Sequence, residues 1–368
     1  MAEQVLPTDV LIEVLIRLPV KTLLKCRSVS KSWCNLIRSR IFILSHTKRE
    51  RKQRILLVNR YSTPEEGDDE VLSFANVSFP ISDDSDTTLY CDMHILSHRL
   101  PQLSGEGEIV RIPIHGPCNG LVCIAFGETI YLCNPALREF KLLPPLRFPV
   151  GYSPLPSQIG FGFDQITGDY KVIQISDVPD FSEESKIRFD LYNSGSNSWK
   201  EMDARVPDIS HFIGYELLYN GVMHWLAIMS PHNSACIICL DVTRESLGQY
   251  IELNGDLGRD ESDPRLIEFD GRLAVVRYSP WTGTEIWVMK EYGAKESWTK
   301  QCVMGAYYTI CPFQFLKNEE FMVDSEFGRC TLEESQLKGF QFYGDFHSST
   351  TAVFYEESLI SLNDIISE

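Results

Sequence analysis

At 368 residues, 43% hydrophobic and 23% charged, the chain has the composition of a folded globular protein too long for one core, which excludes wholesale disorder and points to a small and a large domain or a long repeat. Its net charge of −17 divides unequally: residues 1–50 carry nine Lys and Arg against four Asp and Glu, a net of +5, and the rest carry 25 against 47, a net of −22. A large domain that acidic repels phosphate, which argues against nucleic acid as its ligand and favours a basic partner.

The first predicted unit is helical. Val10, Leu11, Val14, Leu15 and Leu18 recur at helical intervals while Glu13 and Arg17 take the wet side. Thr8 and Asp9 are N-cap types at its start, and Pro19 stops it. A second helix is expected over residues 20–26 with Leu23 and Leu24 inward. A third, capped by Ser28 or Ser30, carries Val29, Trp33, Leu36 and Ile37. Three helices of this size rarely bury enough surface to fold alone, so a partner or the following domain is expected to cover part of the apolar stripe. The expected division is a helical domain over 1–50 and a second domain over 51–368.

The acidic residues Glu3, Asp9 and Glu13 interrupt the segment where a secretory signal needs an apolar core, and eleven scattered cysteines form no disulfide framework. A reducing compartment, cytoplasmic or nuclear, is expected. No run approaches the roughly 18 apolar residues of a membrane helix, so no membrane association is expected.

Beyond Arg54 short apolar runs alternate with Gly, Asn, Asp and Pro, an all-β pattern, and a unit recurs within it. Gly120, Gly168, Gly221 and Gly271 each open an apolar strand, a second strand follows, and Phe140, Trp199, Tyr250 and Trp298 enter a third. A period of about 50 residues with several strands per unit indicates a kelch-like β-propeller of about six blades, each aromatic filling the space between sheets. Asn318 to Phe342 reads as a further blade and residues 55–114 as a first. The stretch at 351–362 is expected to pair with an early strand and close the ring.

Two resemblances follow from these residues. Leu6-Pro7, Asp9, Val10-Leu11, Val14-Leu15, Leu18-Pro19, Leu23-Leu24, Val29, Lys31, Trp33 and Leu36-Ile37 resemble an F-box. That implies a docking surface for the SKP adaptor of a cullin-RING ubiquitin ligase, formed by Leu6, Pro7, Val10, Leu11, Val14, Leu15, Leu18, Pro19, Leu23, Val29 and Trp33. The phrases GPCNGLVC (116–123), CNPALREFKLLPP (133–145), GFGFDQITGDYKV (160–172), NGVMHW (220–225) and IWVMKEYGAKESW (286–298) resemble the F-box-associated domain of plant F-box proteins, notably the S-locus F-box and S-locus-like group. The implied function is that of a substrate receptor, with no catalysis of its own, for a protein target. In the S-locus group that target is a basic secreted ribonuclease. A target in defence or hormone signalling, and an adaptor that binds without degradation, are the alternatives.

Other chemistry is not indicated. Cys236 and Cys239 have a zinc half-site gap but no second pair of ligands, and residues i and i+3 of a strand point to opposite faces. His115 with Cys118, and His224, define no nucleophile geometry, and His224 in an apolar strand reads as a hydrogen-bonded core residue. Gly160-Phe-Gly-Phe lacks the third glycine of a dinucleotide loop and reads as a close-packed strand entry. No cofactor is implied, and a propeller enzyme would need a metal or redox cluster that the sequence lacks. The candidate target-binding residues are acidic: Asp177, Asp180, Glu183 and Glu184, and Asp256, Asp260, Glu261 and Asp263, with solubility as the competing reading and a shared rim as the deciding observation.

Overall fold

Among the described residues, helices open the chain and strands dominate the rest. The structure, a computed structural model, describes residues 7–47, 54–62, 70–78, 88–89, 91–99, 113–126, 129–146, 158–178, 186–253, 264–279, 283–304, 312–315, 320–323, 328–331, 337–339, 341–342 and 351–365. Where three helices were expected, the described N-terminal residues form four: α1 (Thr8–Leu15), α2 (Val20–Cys26), α3 (Lys31–Arg38) and α4 (Arg40–Thr47). Ser39 divides the last two, its backbone extended and its hydroxyl accepting from the Phe42 amide at 3.3 Å. Ser30 caps α3 as expected, accepting from the Trp33 amide at 3.2 Å.

Thr8 and Asp9 do not cap α1; both lie inside it, and Pro7 takes the cap position without a side-chain bond. The helix also stops short of Pro19. Arg17 and Leu18 donate three residues back, to Val14 and Leu15, in a tightened last turn, because the residue ahead of a proline is disfavoured from helical backbone. Leu15, Val20, Leu23, Ile37 and Phe42 close the helical core, and His46, itself buried, donates from Nε2 to the Leu18 carbonyl at 3.0 Å to tie α4 to the end of α1.

Among the described residues the strands form six antiparallel sheets in succession along the chain, with one parallel pair, Thr88–Leu89 with Gln341–Phe342. The first sheet holds Arg54–Ser62, Glu70–Ser78, Cys91–Arg99 and Thr351–Tyr355; the second Ile114–Cys118, Leu121–Phe126, Thr129–Asn134 and Glu139–Leu142. The third holds Gln158–Phe163, Tyr170–Val178, Lys186–Asn193 and Ser198–Met202; the fourth Ile209–Tyr219, Val222–Met229, Ser234–Asp241, Ser246–Leu247 and Ile251–Glu252. The fifth spans Arg265–Met304 and the sixth Pro312–Gly339. Thr351–Tyr355 pairs with Arg54–Val58, so the last strand joins the first sheet as the sequence led us to expect.

Three of the four recurring glycines share one physical cause, while Gly168 closes a six-residue loop, 164–169, instead. Asn119-Gly120, Asn220-Gly221 and Asp270-Gly271 all have positive φ in two-residue hairpin turns, the type I′ geometry whose twist suits antiparallel strands. A second recurrence follows the third strand. Asn134, Asn193 and Asp241 each accept two amides of the next loop through Oδ1, and Arg138, Asn197 and Glu245 close those loops at positive φ.

Each pair of neighbouring sheets from the first to the fifth encloses an apolar cluster. Trp298 is buried between the fourth and fifth sheets, and Trp199 packs half-buried on the cluster between the second and third, donating to the Pro144 carbonyl at 2.7 Å. Tyr250 breaks the expected pattern. Leu247 takes the place six residues after Asp241, as Phe140 and Trp199 do after Asn134 and Asn193, and Tyr250 lies exposed beyond the strand.

Two sheets approach closely at Gly160, where a Cβ would meet the Trp225 ring at 2.4 Å. Trp225 is buried and donates to the Ile159 carbonyl at 3.2 Å, so the expected close-packed strand entry is a glycine-lined seat for an indole. Trp225→Ala is expected to cost ~3–5 kcal/mol, and Gly160→Ala ~1–3 kcal/mol because the ring has nowhere to retreat. Gly248→Ala, whose Cβ has only ordinary contacts, should cost less than Gly160→Ala. Urea midpoints of the three variants check the order.

Candidate docking surfaces

The predicted adaptor residues separate by burial. Leu15 and Leu23, 1% and 0% exposed, belong to the helical core and reach no partner in this fold. Leu11, Leu18 and Trp33 are half-buried on its rim. Pro7, Val10, Val14, Pro19 and Val29 are exposed, with 46% of Val10, 51% of Val14 and 63% of Val29 in water, and Leu6 lies outside the described residues. The helical stripe therefore has two sides. Leu11 and Leu15 turn in; Val10 and Val14, four residues apart on α1, turn out and are held there by residues that serve only the core. Ile41 and Leu44, which the sequence reading did not single out, add exposed apolar surface on α4.

Polar contacts fix which ends of the sheets lie together. Lys171 donates to the Val242 carbonyl at 2.8 Å, Thr243 Oγ1 donates to Asp164 at 3.1 Å, and Tyr219 donates to the Gly271 carbonyl at 2.8 Å. The loops at 164–169 and 242–245 and the turns at 220–221 and 270–271 thus share one side. α4 lies on that side: a Cβ on Gly168 would come 2.9 Å from the Arg40 guanidinium, and Thr47 borders a cavity with Asn119 and Gly120. That cavity, about 340 Å³, is lined by Phe161, Glu216, Ile267 and Tyr355 from four different sheets. Glu216 accepts from His115 Nδ1 at 2.8 Å and from the Gly116 amide at 3.3 Å, so His115 is engaged with a carboxylate rather than with Cys118.

The strands then carry the chain to the other end. Val178 and Lys186, which flank residues 179–185, and Leu253 and Pro264, which flank 254–263, stand at strand ends remote from the helices. Asp177 is on the described strand, its backbone opposite Ile187. Asp180, Glu183, Glu184, Asp256, Asp260, Glu261 and Asp263 lie outside the described residues.

The buried ionisable groups serve structure. Burial alone would lower the Lys171 pKa, but Asp164 at 2.8 Å and Glu245 at 2.9 Å outweigh it and hold the ammonium charged across the third and fourth sheets. Glu285 would rise through burial, yet Lys300 at 2.7 Å, the Trp287 indole at 3.0 Å and Arg277 bring it down to about 2. Burial pushes the Cys118 thiol up to about 12, the opposite of an activated nucleophile. Cys236 and Cys239 face different clusters on opposite sides of the fourth sheet. His224, fully buried, donates from Nδ1 to the Leu217 carbonyl at 3.2 Å and accepts at Nε2 from the Tyr292 hydroxyl at 2.8 Å, as a neutral core histidine does.

Comparison with known proteins adds the family context. A model of the F-box domain matches residues 4–45, and a model described as the F-box associated beta propeller domain matches residues 71–324. An F-box/kelch-repeat protein of Arabidopsis thaliana is 26% identical over 80% of this chain and 78% of its own length. An F-box protein of the same plant is 25% identical over 95% of this chain and 86% of its own, and F-box protein CPR1 is 23% identical over 91% and 81%. Among solved structures, the Dos1 propeller aligns over 82% of this chain and 84% of its own at 12% identity with a TM-score of 0.39, too low to carry an argument.

His224 yields a pH test. Burial lowers its pKa from 6.5 to about 4, so between those values the unfolded chain binds a proton that the folded one refuses. The stability that neutral His224 contributes is full above pH 6.5 and is lost as pH falls toward 4, about 3 kcal/mol in all. His224→Gln should be less stable than the parent at pH 7.5 but lose less over that window, read from urea midpoints at pH 7.5, 6, 5 and 4.

Proposed function

We infer function from family: the chain belongs to the F-box proteins that carry an F-box associated beta propeller domain, and we propose that it is the substrate-recognition subunit of an SKP–cullin–F-box ubiquitin ligase. The observation that carries the reading is the exposed apolar set Pro7, Val10, Val14, Pro19 and Val29 on a helical module too small to leave such a surface without use. In this reading the SKP adaptor covers that set, with Leu11, Leu18 and Trp33 at its edge and Leu6 beside it. In this reading the six sheets among the described residues are blades of the propeller.

The chain performs no bond-making step in this mechanism. It raises effective concentration: the adaptor holds one end, a target protein is held at the other, and the conjugating enzyme meets the target's lysine within one assembly. The target is basic, matched to the net −22 of residues 51–368 and to acidic segments whose flanking strand ends lie away from the helices. A basic ribonuclease of the kind bound in the S-locus group fits that chemistry, as does any basic cytoplasmic or nuclear protein of defence or hormone signalling.

Two experiments test the two ends. Val14→Asp and Val10→Asp should leave the melting temperature within about 1 °C of the parent, since both side chains face water, and should weaken adaptor capture at least ~10-fold, because a carboxylate buried in an apolar interface finds no partner. Normal capture by both variants would remove the adaptor reading. At the other end, neutralising Asp177, Asp180, Glu183 and Glu184, and separately Asp256, Asp260, Glu261 and Asp263, should slow association with a verified basic target, most strongly at low salt where the Debye length exceeds ~10 Å. Unchanged association rates for both sets would assign the acidic surface to solubility.

A further inference from the structure

We propose that residues 356–365 are a latch that seats the N-terminal helices on the second sheet, with the turn from Asn134 to Glu139 as its receptor. The geometry stands by itself; the consequence for ubiquitin transfer rests on the adaptor reading above.

The chain does not end at the closing strand. After Tyr355 it runs on through Glu356–Ser361 into a short helix, α5 (Leu362–Ile365). Leu359, 1% exposed, enters the helical core among Leu15, Val20, Leu23, Ile37 and Phe42. Ile360 and Leu362 enter the apolar cluster between the second and third sheets, on which Ile43 of α4 also packs. Residues side by side in sequence thus complete two different cores, one helical and one β.

The second sheet grips this segment by its backbone. Asn134, wholly buried, donates from Nδ2 to the carbonyls of Ser358 at 3.2 Å and Ile360 at 2.7 Å, one on either side of Leu359. Its Oδ1 accepts from the amides of Ala136 and Leu137, so a single side chain both shapes the turn and holds the tail. Glu139 accepts from the Leu362 amide at 2.7 Å and from the Ser361 hydroxyl at 3.0 and 3.1 Å. Ala136 donates to the Tyr355 hydroxyl at 3.0 Å and packs against the helical core as well. Gly120 gives the segment room to pass: a Cβ there would lie 2.4 Å from Ser358 Cβ and 2.5 Å from the Glu356 carbonyl.

This arrangement gives a role to the phrase Asn-Pro-Ala-Leu-Arg-Glu at 134–139, which neither docking surface uses, and to a tail beyond both matched family segments, 4–45 and 71–324. A module of about 40 residues cannot bury enough surface to be rigid by itself. It borrows Leu359 to finish its core, and the residue that finishes it is hydrogen-bonded to the sheet.

The test is hydrogen exchange by mass spectrometry on the full chain, the parent against Leu359→Asp and Asn134→Ala, with adaptor capture measured alongside. Amides of α1–α4 should exchange at least tenfold faster in Leu359→Asp, while residues 170–178 and 222–229 keep their protection. Asn134→Ala leaves the helical core's own side chains in place; it frees the carbonyls of Ser358 and Ile360, loosens the tail they anchor, and should speed exchange in α1–α4 at least threefold. Unchanged protection of α1–α4 in both variants overturns the latch. If the exchange changes as expected but the parent captures no adaptor, the latch stands and the adaptor reading falls.

Discussion

The pairing of Thr351–Tyr355 with Arg54–Val58 is the contact on which the rest of the structure depends. Sheets that stack in sequence bury their faces only against neighbours, so a linear stack leaves a bare face at each end and unpaired strand edges that invite other chains. Joining the last strand to the first sheet pairs the open edge of Arg54–Ser62 and ties the two ends of the stack to each other. The loop-closure entropy for so distant a pair rises only logarithmically with its length, so the pairing is slow to form rather than weak. It also has a topological result. Because α1–α4 immediately precede the first sheet, whatever follows the closing strand must emerge beside them, and residues 356–365 do so.

Apolar clusters between sheets supply burial but are tolerant of sliding, since one aliphatic contact substitutes for another at little cost. The buried charges are not tolerant. Lys171 bonds Asp164 in its own sheet and Glu245 and the Val242 carbonyl in the next, which fixes one sheet's loop against its neighbour's to within a hydrogen bond. Such a group adds little net stability, because its desolvation cancels much of the attraction, but any displacement strands an unpaired charge and is strongly resisted. Gly160 under Trp225 acts the same way by shape. Together they fix the relative position of the third and fourth sheets.

Much of this was legible in the residues. Three of the four periodic glycines mark the repeat because type I′ turns demand positive φ at Asn119-Gly120, Asn220-Gly221 and Asp270-Gly271, a constraint that acts locally and survives divergence. The spacing of residues 20–26 gave α2 to the residue. What failed depended on tertiary context. Tyr250 has the right type but not the right offset from Asp241, and Leu247 packs in its place. Leu15 and Val14 are both aliphatic neighbours, and only the fold decides that one is core and the other surface. The receptor role of Asn134 was out of reach, because its partners lie more than 220 residues away and are backbone carbonyls, which leave no side-chain signature.

The separation of the two ends of the sheets follows from the same geometry. The hairpin turns, the helices and the tail occupy one side, and the strand ends flanking the acidic segments occupy the other. Under the receptor reading this separation lets a bulky adaptor and a bulky target bind together without competing for surface, and it keeps the basic helical end away from a basic target that the acidic domain attracts. Effective concentration, however, depends on how well the two sites are held relative to each other, and a loosely hinged module spreads the target over volumes where transfer does not occur. Under that same reading, the seating of the helices on the second sheet through Leu359 and Asn134 is what holds the adaptor surface in a set position relative to the target end.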